Sequence, residues 1–319
     1  MRKINFRKQV NKSYLQVQDN INQNISCHLL DDEYSSSKYF KPGCVNISYF
    51  IRHKADVLMS HGVADKNYLS MRDSGGRMVN NFQHILVPGP WLKNKILNLE
   101  GCELNADQIH VVGWPRLDSL YRERTFYLKR RNQSSPVRVL WAPTHDRRKR
   151  GIEKESTSSF PEFALYEKDM KSKYDYSVSV HPRNRDLKAP TASRLVESDY
   201  VISDFGTMVY EAWALGIPVI FPRWILKDKI TTYIKGSAEA FIFENNIGLH
   251  ANSIEEVQMF IEQGYGVGDE VKQFMEDYLP DKYLGCSGEA IASLLKSLSV
   301  KHSFRQFFNY YYHQFKKKY

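Results

Sequence analysis

Short apolar runs alternate along most of the chain with longer stretches of mixed polarity, which predicts alternating β-strands and α-helices. The runs that predict strands lie at 56–60, 85–87 and 109–113 in the first half, and at 137–143, 176–180, 199–203 and 218–221 in the second. Strands that alternate with helices in this way form parallel sheets covered on both faces. The polar residues 1–45 indicate only one possible strand, at 25–30.

A polar and basic stretch at 121–136 lies between the two series of predicted strands and is typical of a linker between domains. The chain has 319 residues, a length that suits two domains of about 150 residues each. We therefore expect a first domain at 1–125, a second at 126–300, and a basic, aromatic C-terminal helix or tail at 301–319.

The composition narrows the class of protein but does not select a function. Hydrophobic residues make up 42% of the chain and charged residues 25%, as in soluble globular proteins. The net charge of +9 indicates anionic partners, which could be phosphate-bearing substrates, a membrane surface or nucleic acid. Nucleic acid is not expected, because the sequence contains no RNP-type, KH or helix-turn-helix pattern.

The cysteines and the N-terminal sequence indicate the cellular compartment in which the protein is expected. The four cysteines are scattered without a Cys-x-x-Cys pair, so neither a zinc site nor a disulfide framework is indicated, and a reducing cytosol is the simplest setting. No apolar segment follows the basic N-terminus, and no run approaches the roughly 18 apolar residues of a membrane-spanning helix. We expect a cytoplasmic protein.

Residues 198–222 combine a strand, a turn, a helix and a second strand. The strand at 199–203 leads into the turn Asp204-Phe205-Gly206, after which Thr207 can cap a helix that stops at Gly216. A helix that begins after a glycine turn at the carboxyl end of a strand offers N–H donors and a dipole to an anion. Glu211, one turn inside the helix, could accept hydrogen bonds from ribose hydroxyls. The alternative is an ordinary strand–helix unit with a capping Thr and a solvated Glu.

Four further motifs follow predicted strands. They are Ser60-His61-Gly62, Gly113-Trp114-Pro115-Arg116-Leu117-Asp118, Ala142-Pro143-Thr144-His145 and His181-Pro182-Arg183. Loops at the carboxyl ends of parallel strands meet at one edge of a sheet, so these residues can come together although they are distant in sequence. Each histidine alone is more often structural or simply exposed; three histidines that all end strands favour a functional site.

Two basic segments allow two interpretations each. The loop at 144–159 contains His145-Asp146-Arg147-Arg148-Lys149-Arg150 and is either a ligand-binding loop or a solvated one. The C-terminal residues 301–319 interleave Phe and Tyr with Lys and Arg, a composition suited to an anionic membrane interface. The alternative is a terminal helix that packs its aromatic residues across the two domains.

In this order, the motifs resemble those of the CDP-glycerol glycerophosphotransferases of teichoic-acid and capsule biosynthesis. The resemblance covers roughly residues 55–295 and includes Cys286-Ser287-Gly288-Glu289-Ala290 before the last helix. It implies an α/β protein in which two Rossmann-like domains face a cleft (the GT-B architecture). The N-terminal part of this chain is short for such a domain, so we expect a reduced N-terminal domain. It also implies transfer of a phosphoglycerol or related phosphopolyol unit from a CDP-linked donor to a polymer or lipid-linked acceptor.

The resemblance assigns roles to single positions. His61 matches the expected general base, while His181 and Arg183 match a segment that faces the diphosphate, with His181 as a second catalytic residue. Thr207 matches the hydroxyl that holds the phosphates, and Arg116 matches an arginine that shapes the interdomain turn. The other donor-site residues that we expect are Thr144, His145, Ser203, Asp204, Gly206 and Glu211. No metal or cofactor is expected, since cationic side chains and N–H groups can stabilise the leaving nucleotide.

The chain also departs from the family pattern. Glu211 stands where Asp is more frequent, Phe205-Gly206 replaces Tyr-Ser, and His145 is unexpected after Ala-Pro-Thr. The first two differences favour sugar-transferring GT-B enzymes, so a glycosyltransferase that uses a nucleotide sugar is the alternative. A UDP-sugar 2-epimerase and a non-catalytic, membrane-bound assembly subunit are further alternatives.

Overall fold

The computed structural model describes residues 3–8, 12–132, 134–144, 158–180 and 191–303. The chain divides into two compact units. Unit 1 takes Met1–His61, Tyr68–Asp118 and the chain from Lys282 on, and unit 2 takes Gly62–Asn67 and Ser119–Asp281. Each unit contains its own parallel sheet, so the predicted α/β class with two Rossmann-like domains is confirmed.

The sheet of unit 1 has six parallel strands in the order β2-β1-β3-β4-β7-β8. In chain order the strands are β1 (Ile4–Arg7), β2 (Tyr34–Ser37), β3 (Val45–Ser48), β4 (Val57–Met59), β7 (His84–Val87) and β8 (Ile109–Val111), while β5 (Arg72–Asp73) and β6 (Gly76–Arg77) form a separate antiparallel hairpin. The helices of this unit are α1 (Lys12–Ser26), α2 (Pro90–Leu97) and α12 (Ser287–Ser297). All residues of β3 and β4 are buried, as expected for strands covered on both faces.

The sheet of unit 2 has five parallel strands in the order β10-β9-β11-β12-β13. The strands are β9 (Arg138–Ala142), β10 (Asp175–Val178), β11 (Tyr200–Ser203), β12 (Val219–Pro222) and β13 (Leu249–Ala251). The helices are α4 (Glu167–Lys173), α5 (Thr191–Glu197), α6 (Thr207–Ala214), α7 (Arg223–Leu226), α8 (Lys229–Tyr233), α9 (Ala238–Glu244), α10 (Ile254–Glu262) and α11 (Asp269–Tyr278). One core cluster of this unit joins Trp141, Phe163, Ile202 and Ile220. None of the helices in the described part of the chain is long and apolar enough to cross a membrane.

The prediction of a possible strand at 25–30 was wrong, because α1 continues to Ser26 and a turn follows. Ile21 and Ile25 are both fully buried and lie four residues apart, which is the spacing of one face of a helix. Residues 4–48 instead supply the three strands β1, β2 and β3. β1 and β3 alternate apolar with polar residues and β2 is mostly polar, so none of the three contains a continuous apolar run.

The predicted linker at 121–136 was also wrong over most of its length, because α3 (Arg116–Arg130) occupies it. The division between the units falls inside this helix, after Asp118. The basic residues have structural partners in unit 2: Arg124 is buried and donates to the carbonyl oxygens of Val196 at 2.7 Å and Ser198 at 2.9 Å. A cationic stretch that predicts a solvated linker therefore forms part of a packed helix.

The end of the described chain lies in unit 1, although the sequence assigned residues up to 300 to the second domain. The buried carboxylate of Asp118 accepts hydrogen bonds from the backbone N–H groups of Ser287 at 3.0 Å and Gly288 at 2.7 Å, in the first turn of α12. An added Cβ on Gly288 would lie 1.9 Å from the carbonyl oxygen of Asn24, so only glycine allows α12 to approach α1 this closely. The Gly-x-Pro-Arg and Cys-Ser-Gly-Glu-Ala motifs thus meet at the start of α12.

We expect Asp118→Ala to lower the free energy of unfolding by about 1.5–3 kcal/mol or more, because two buried N–H groups lose a charged acceptor. Urea unfolding measures the change. Glu123→Ala is the matched control, since Glu123 is an exposed acidic residue on the same helix. Equal stability of the two variants would contradict the role of Asp118 in holding α12.

Candidate functional site

Most of the predicted site residues in the described part of the chain lie where strands end. In unit 1, Ser60 and His61 follow β4. In unit 2, Thr144 follows β9 after one residue, and Asp204 directly follows β11. These two strands are neighbours, and Ser203 pairs with Ala142 at their ends. Thr144 and the turn before α6 therefore share one edge of the sheet, where ligands of parallel α/β sheets bind.

The turn before α6 depends on Gly206, whose φ of 103° and ψ of −170° are essentially restricted to glycine. Gly206 is the N-cap, and Thr207 is the first residue of the helix. The prediction that the Thr207 side chain caps the helix was wrong, since no side chain caps it. The helix stops as predicted: Ala214 is its last residue, and Gly216 follows with a φ of 71°.

Asp204 and Ser203 hold the two strand ends together. The Asp204 carboxylate is fully buried and accepts hydrogen bonds from the backbone N–H of Thr144 at 2.8 Å and from its hydroxyl at 3.1 Å. Burial raises the pKa of Asp204, while hydrogen bonds from Ser159 and Thr144 act in the opposite direction. The Ser203 hydroxyl, also buried, donates to the carbonyl oxygen of Ala142 at 2.8 Å. Both side chains are engaged in fixing the sheet edge.

The segment Gly62–Asn67 belongs to unit 2, although it follows β4 of unit 1 in the chain. Within unit 2 its first residue lies against the start of α6: an added Cβ on Gly62 would be 2.6 Å from the Thr207 hydroxyl oxygen. The Lys66 ammonium lies 4.6 Å from the centre of the Phe205 ring. The His-Gly motif and the turn of residues 204–207 are therefore adjacent at Gly62 and Thr207.

The segment is held by residues that the sequence did not indicate. The Glu239 carboxylate accepts hydrogen bonds from the backbone N–H groups of Asp65 at 2.9 Å and Lys66 at 2.8 Å. Nothing in the sequence links these positions, which are more than 170 residues apart. For Lys66, the only available signal was its cationic charge four residues after Gly62.

His61 is fixed in unit 1 by two aromatic rings. Its imidazole stacks on Phe50 with a centroid distance of 4.8 Å and an interplanar angle of 13°, and it meets the edge of Tyr68 at 5.1 Å. The backbone N–H of Ile51 donates to the Tyr68 hydroxyl at 2.7 Å, which orients that ring. The His61 residue is partly exposed, while its Nδ1 atom is buried. The ring is therefore oriented, and only part of the residue is open to solvent.

Two further predicted residues are described by the structure. Glu211 is fully buried within α6. A ribose ligand needs an accessible carboxylate, which burial does not provide, and the role of Glu211 stays a prediction. Arg116 is the first residue of α3, two residues before the division between the units. Its role at the interdomain turn also stays a prediction.

Three predicted site residues, His145, His181 and Arg183, lie outside the described residues, as do the tail residues 304–319. Among the described residues, no group of three or more His, Cys, Asp and Glu side chains is placed to hold a metal ion. The four cysteines, all in the described part, are free thiols.

Comparison with known proteins gives matches in structure only. No family model matches the chain, and no curated protein matches its sequence. A structure of the wall teichoic acid polymerase TagF is similar with a TM-score of 0.61 and 14% identity, over 92% of this chain and 88% of that one. A histidine variant of TagF soaked with CDPG gives a TM-score of 0.60, 14% identity and the same coverage. The UDP-GlcNAc 2-epimerase from Neisseria meningitidis, bound to UDP-GlcNAc, gives a TM-score of 0.52 and 13% identity, over 93% of this chain and 100% of that one.

These matches confirm the GT-B-type fold that the motifs led us to expect, and with it the structural resemblance to the teichoic acid polymerase. At 13–14% identity they show the fold alone, because one fold can carry many different reactions.

We expect Gly62→Ala to lower the free energy of unfolding by about 1–3 kcal/mol, because the new methyl group overlaps the Thr207 hydroxyl. The double variant Gly62→Ala/Thr207→Ala should recover most of this loss, since the Thr207 Cβ would lie 4.0 Å from the new Cβ, an ordinary contact. Chemical denaturation of the four proteins of this double-mutant cycle measures the coupling. Additive effects would show that Gly62 and Thr207 are not in contact.

Proposed function

We propose that this protein is a transferase that moves a phosphoglycerol or related phosphopolyol unit from a CDP-linked donor to a hydroxyl group of a cell-surface polymer and releases CMP. The observation that carries the proposal is the contact of Gly62 with the Thr207 hydroxyl at the start of α6. His61 is bonded directly to Gly62. A residue able to act as a base is thus next in the chain to a glycine that contacts a helix start suited to phosphate.

The chemistry assigned to unit 2 is recognition of the donor's diphosphate. The turn at Gly206 presents the first backbone N–H groups of α6, and Thr207 adds a hydroxyl group that can donate to a phosphate oxygen. Thr144 lies at the neighbouring strand end, where the Asp204 carboxylate holds it. His181 and Arg183 are proposed as further diphosphate ligands on the basis of the sequence motif, and His145 is proposed as a further donor-site residue.

In the proposed reaction, the His61 imidazole takes the proton of the attacking hydroxyl group. The acceptor oxygen forms a bond to the phosphorus of the transferred unit. The bond from that phosphorus to the bridging oxygen breaks, and its electron pair leaves with CMP. Oriented N–H groups and cations around the leaving phosphate stabilise the charge that develops there. Stacking on Phe50 at 4.8 Å presents the imidazole in a defined orientation.

A nucleotide-sugar glycosyltransferase is the second candidate function. It is favoured by the similarity to an epimerase structure that contains UDP-GlcNAc, and by Glu211 and Phe205-Gly206 at the positions where this sequence departs from the phosphotransferase pattern. In that reaction the acceptor would attack an anomeric carbon instead of phosphorus.

The two candidate functions differ in the donor that the enzyme uses, so a test of donors distinguishes them. We expect CMP to be released from CDP-glycerol or another CDP-polyol in the presence of a polymer acceptor, as measured by chromatography of the nucleotide products. Turnover of a nucleotide sugar, with CDP-polyols left intact, would replace the first proposal with the second.

We expect His61→Ala to lower kcat by about 10²–10⁴-fold, the usual contribution of a general base, while the Kd for CMP changes little. His28→Ala is the matched control, since His28 is an exposed histidine of the same unit. Unchanged polymer production by His61→Ala would exclude the catalytic assignment and favour a non-catalytic assembly subunit. A large loss of CMP affinity would instead assign His61 to binding.

We further propose that the protein acts in the cytoplasm at the inner face of the membrane, through its basic and aromatic residues 304–319. The chain just before them is fixed to unit 1: the imidazole Nε2 of His302 donates to the buried Asp56 carboxylate at 3.1 Å. Deletion of residues 304–319 keeps this contact, so we expect loss of binding to anionic vesicles without loss of thermal stability. Unfolding of the truncated protein would show that the segment is a structural brace.

A further inference from the structure

Six residues that follow β4 in the chain, Gly62–Asn67, are built into unit 2. Lys66 and Asn67 have φ values of 44° and 56°, in the left-handed region that residues with a side chain rarely adopt. This backbone conformation costs free energy, and it persists only where surrounding contacts compensate for that cost. The residues that supply those contacts indicate what the segment is for.

Glu239, in the first turn of α9, supplies the main contact. Its carboxylate is buried, and each oxygen accepts one backbone N–H of the segment, that of Asp65 on Oε1 and that of Lys66 on Oε2. Hydrogen bonds to a buried charged group are stronger than those between neutral groups. The backbone at Lys66 is therefore held in position relative to α9.

Further hydrogen bonds tie the segment to α9 and to α11. The Asp65 carboxylate accepts the backbone N–H of Ala238 at 2.9 Å, and the carbonyl oxygen of Val63 accepts the Tyr278 hydroxyl at 2.8 Å. The Tyr210 hydroxyl, on α6, also donates to Glu239 Oε1 at 2.9 Å. Glu239 thus joins the segment to the helix that begins at the proposed phosphate site.

The Lys66 side chain extends from this fixed backbone to the turn before α6. Its ammonium lies 4.6 Å from the centre of the Phe205 ring, and an added Cβ on Gly206 would be 3.0 Å from its Nζ. Lys66 is exposed to solvent. A cation is therefore present beside the residues that the proposed function assigns to the donor's phosphates.

We propose that Lys66 is a ligand of the donor's diphosphate and that Glu239 is the positioning residue that keeps it there. This proposal rests on the proposed function, in which unit 2 binds a nucleotide diphosphate. A lysine ammonium is a compact charge that pairs well with phosphate. Beside the leaving CMP, it neutralises the charge that accumulates as the phosphorus–oxygen bond breaks. The alternative is that Lys66 only covers the face of Phe205 as a cation–π partner.

Calorimetric titration with CDP and with cytidine separates the two roles. We expect Lys66→Gln to weaken CDP binding about tenfold or more and to make it less dependent on salt, while cytidine binding changes less than about twofold. Lys66→Arg, which keeps the charge, should retain most of the affinity for CDP. Lys168→Gln is the control for the change of charge, since Lys168 is an exposed lysine on α4 of the same unit.

The outcomes distinguish this proposal from the proposed function. If the wild type binds CDP and Lys66→Gln binds it equally well, the role of Lys66 is wrong and the proposed donor class stands. If the wild type binds neither CDP nor another nucleoside diphosphate, both proposals are wrong.

The role of Glu239 is tested by its coupling to Lys66. We expect Glu239→Gln to weaken CDP binding in the wild-type background but to add little in the Lys66→Gln background, because the positioned charge is already absent. Tyr210→Phe removes only one hydrogen bond of Glu239 and should show the same coupling, even if Glu239→Gln does not fold. Losses of CDP affinity that add fully in the Glu239 pair, or in the Tyr210 pair where Glu239→Gln does not fold, would show that Glu239 does not act through Lys66.

Discussion

Buried carboxylates that accept backbone N–H groups hold the irregular parts of this protein in place. Asp118 binds the start of α12, Asp204 binds Thr144, and Glu239 binds Asp65 and Lys66. Parallel neighbouring strands are joined by crossovers, and a backbone N–H group that is buried in a connecting loop needs an acceptor outside regular structure. A buried carboxylate supplies two acceptor oxygens at one point and fixes a loop without regular structure.

The same parallel arrangement determines where chemistry can occur. Strand ends collect at one edge of each sheet, and close approach at that edge requires residues without a side chain. Gly62 allows contact with the Thr207 hydroxyl, and Gly206 adopts a backbone conformation that other residues avoid. Cationic and hydroxyl groups can then surround a phosphate without a side chain in the way.

The structural similarity to TagF and to the epimerase concerns the arrangement of strands and helices. The donor is a property of individual side chains at the sheet edge, and these differ between proteins of one fold. Glu211 illustrates the point: the fold places it in α6, and the packing of this chain buries it fully. Under the proposed function, the choice of donor depends on the residues around the turn at 204–207 and on the segment Gly62–Asn67.

The sequence by itself determined the seven strands that consist of apolar runs. Each of them lies within about two residues of the bounds predicted for it. It also determined the glycine turn before α6 and the end of that helix at Gly216. These features depend on local periodicity and on backbone conformations that few residues adopt, so a short window of sequence contains them. The polar strand β2 and the basic helix α3 lack a continuous apolar run, and their structure depends on packing.

Only the tertiary structure decided which distant segments belong together. It placed α12 in unit 1 and Gly62–Asn67 in unit 2, and it paired Lys66 with Glu239 across more than 170 residues. The physical reason is that a buried carboxylate is stable only beside its donors, and which donors reach it depends on how the sheets and helices pack. No local pattern of residues contains that information.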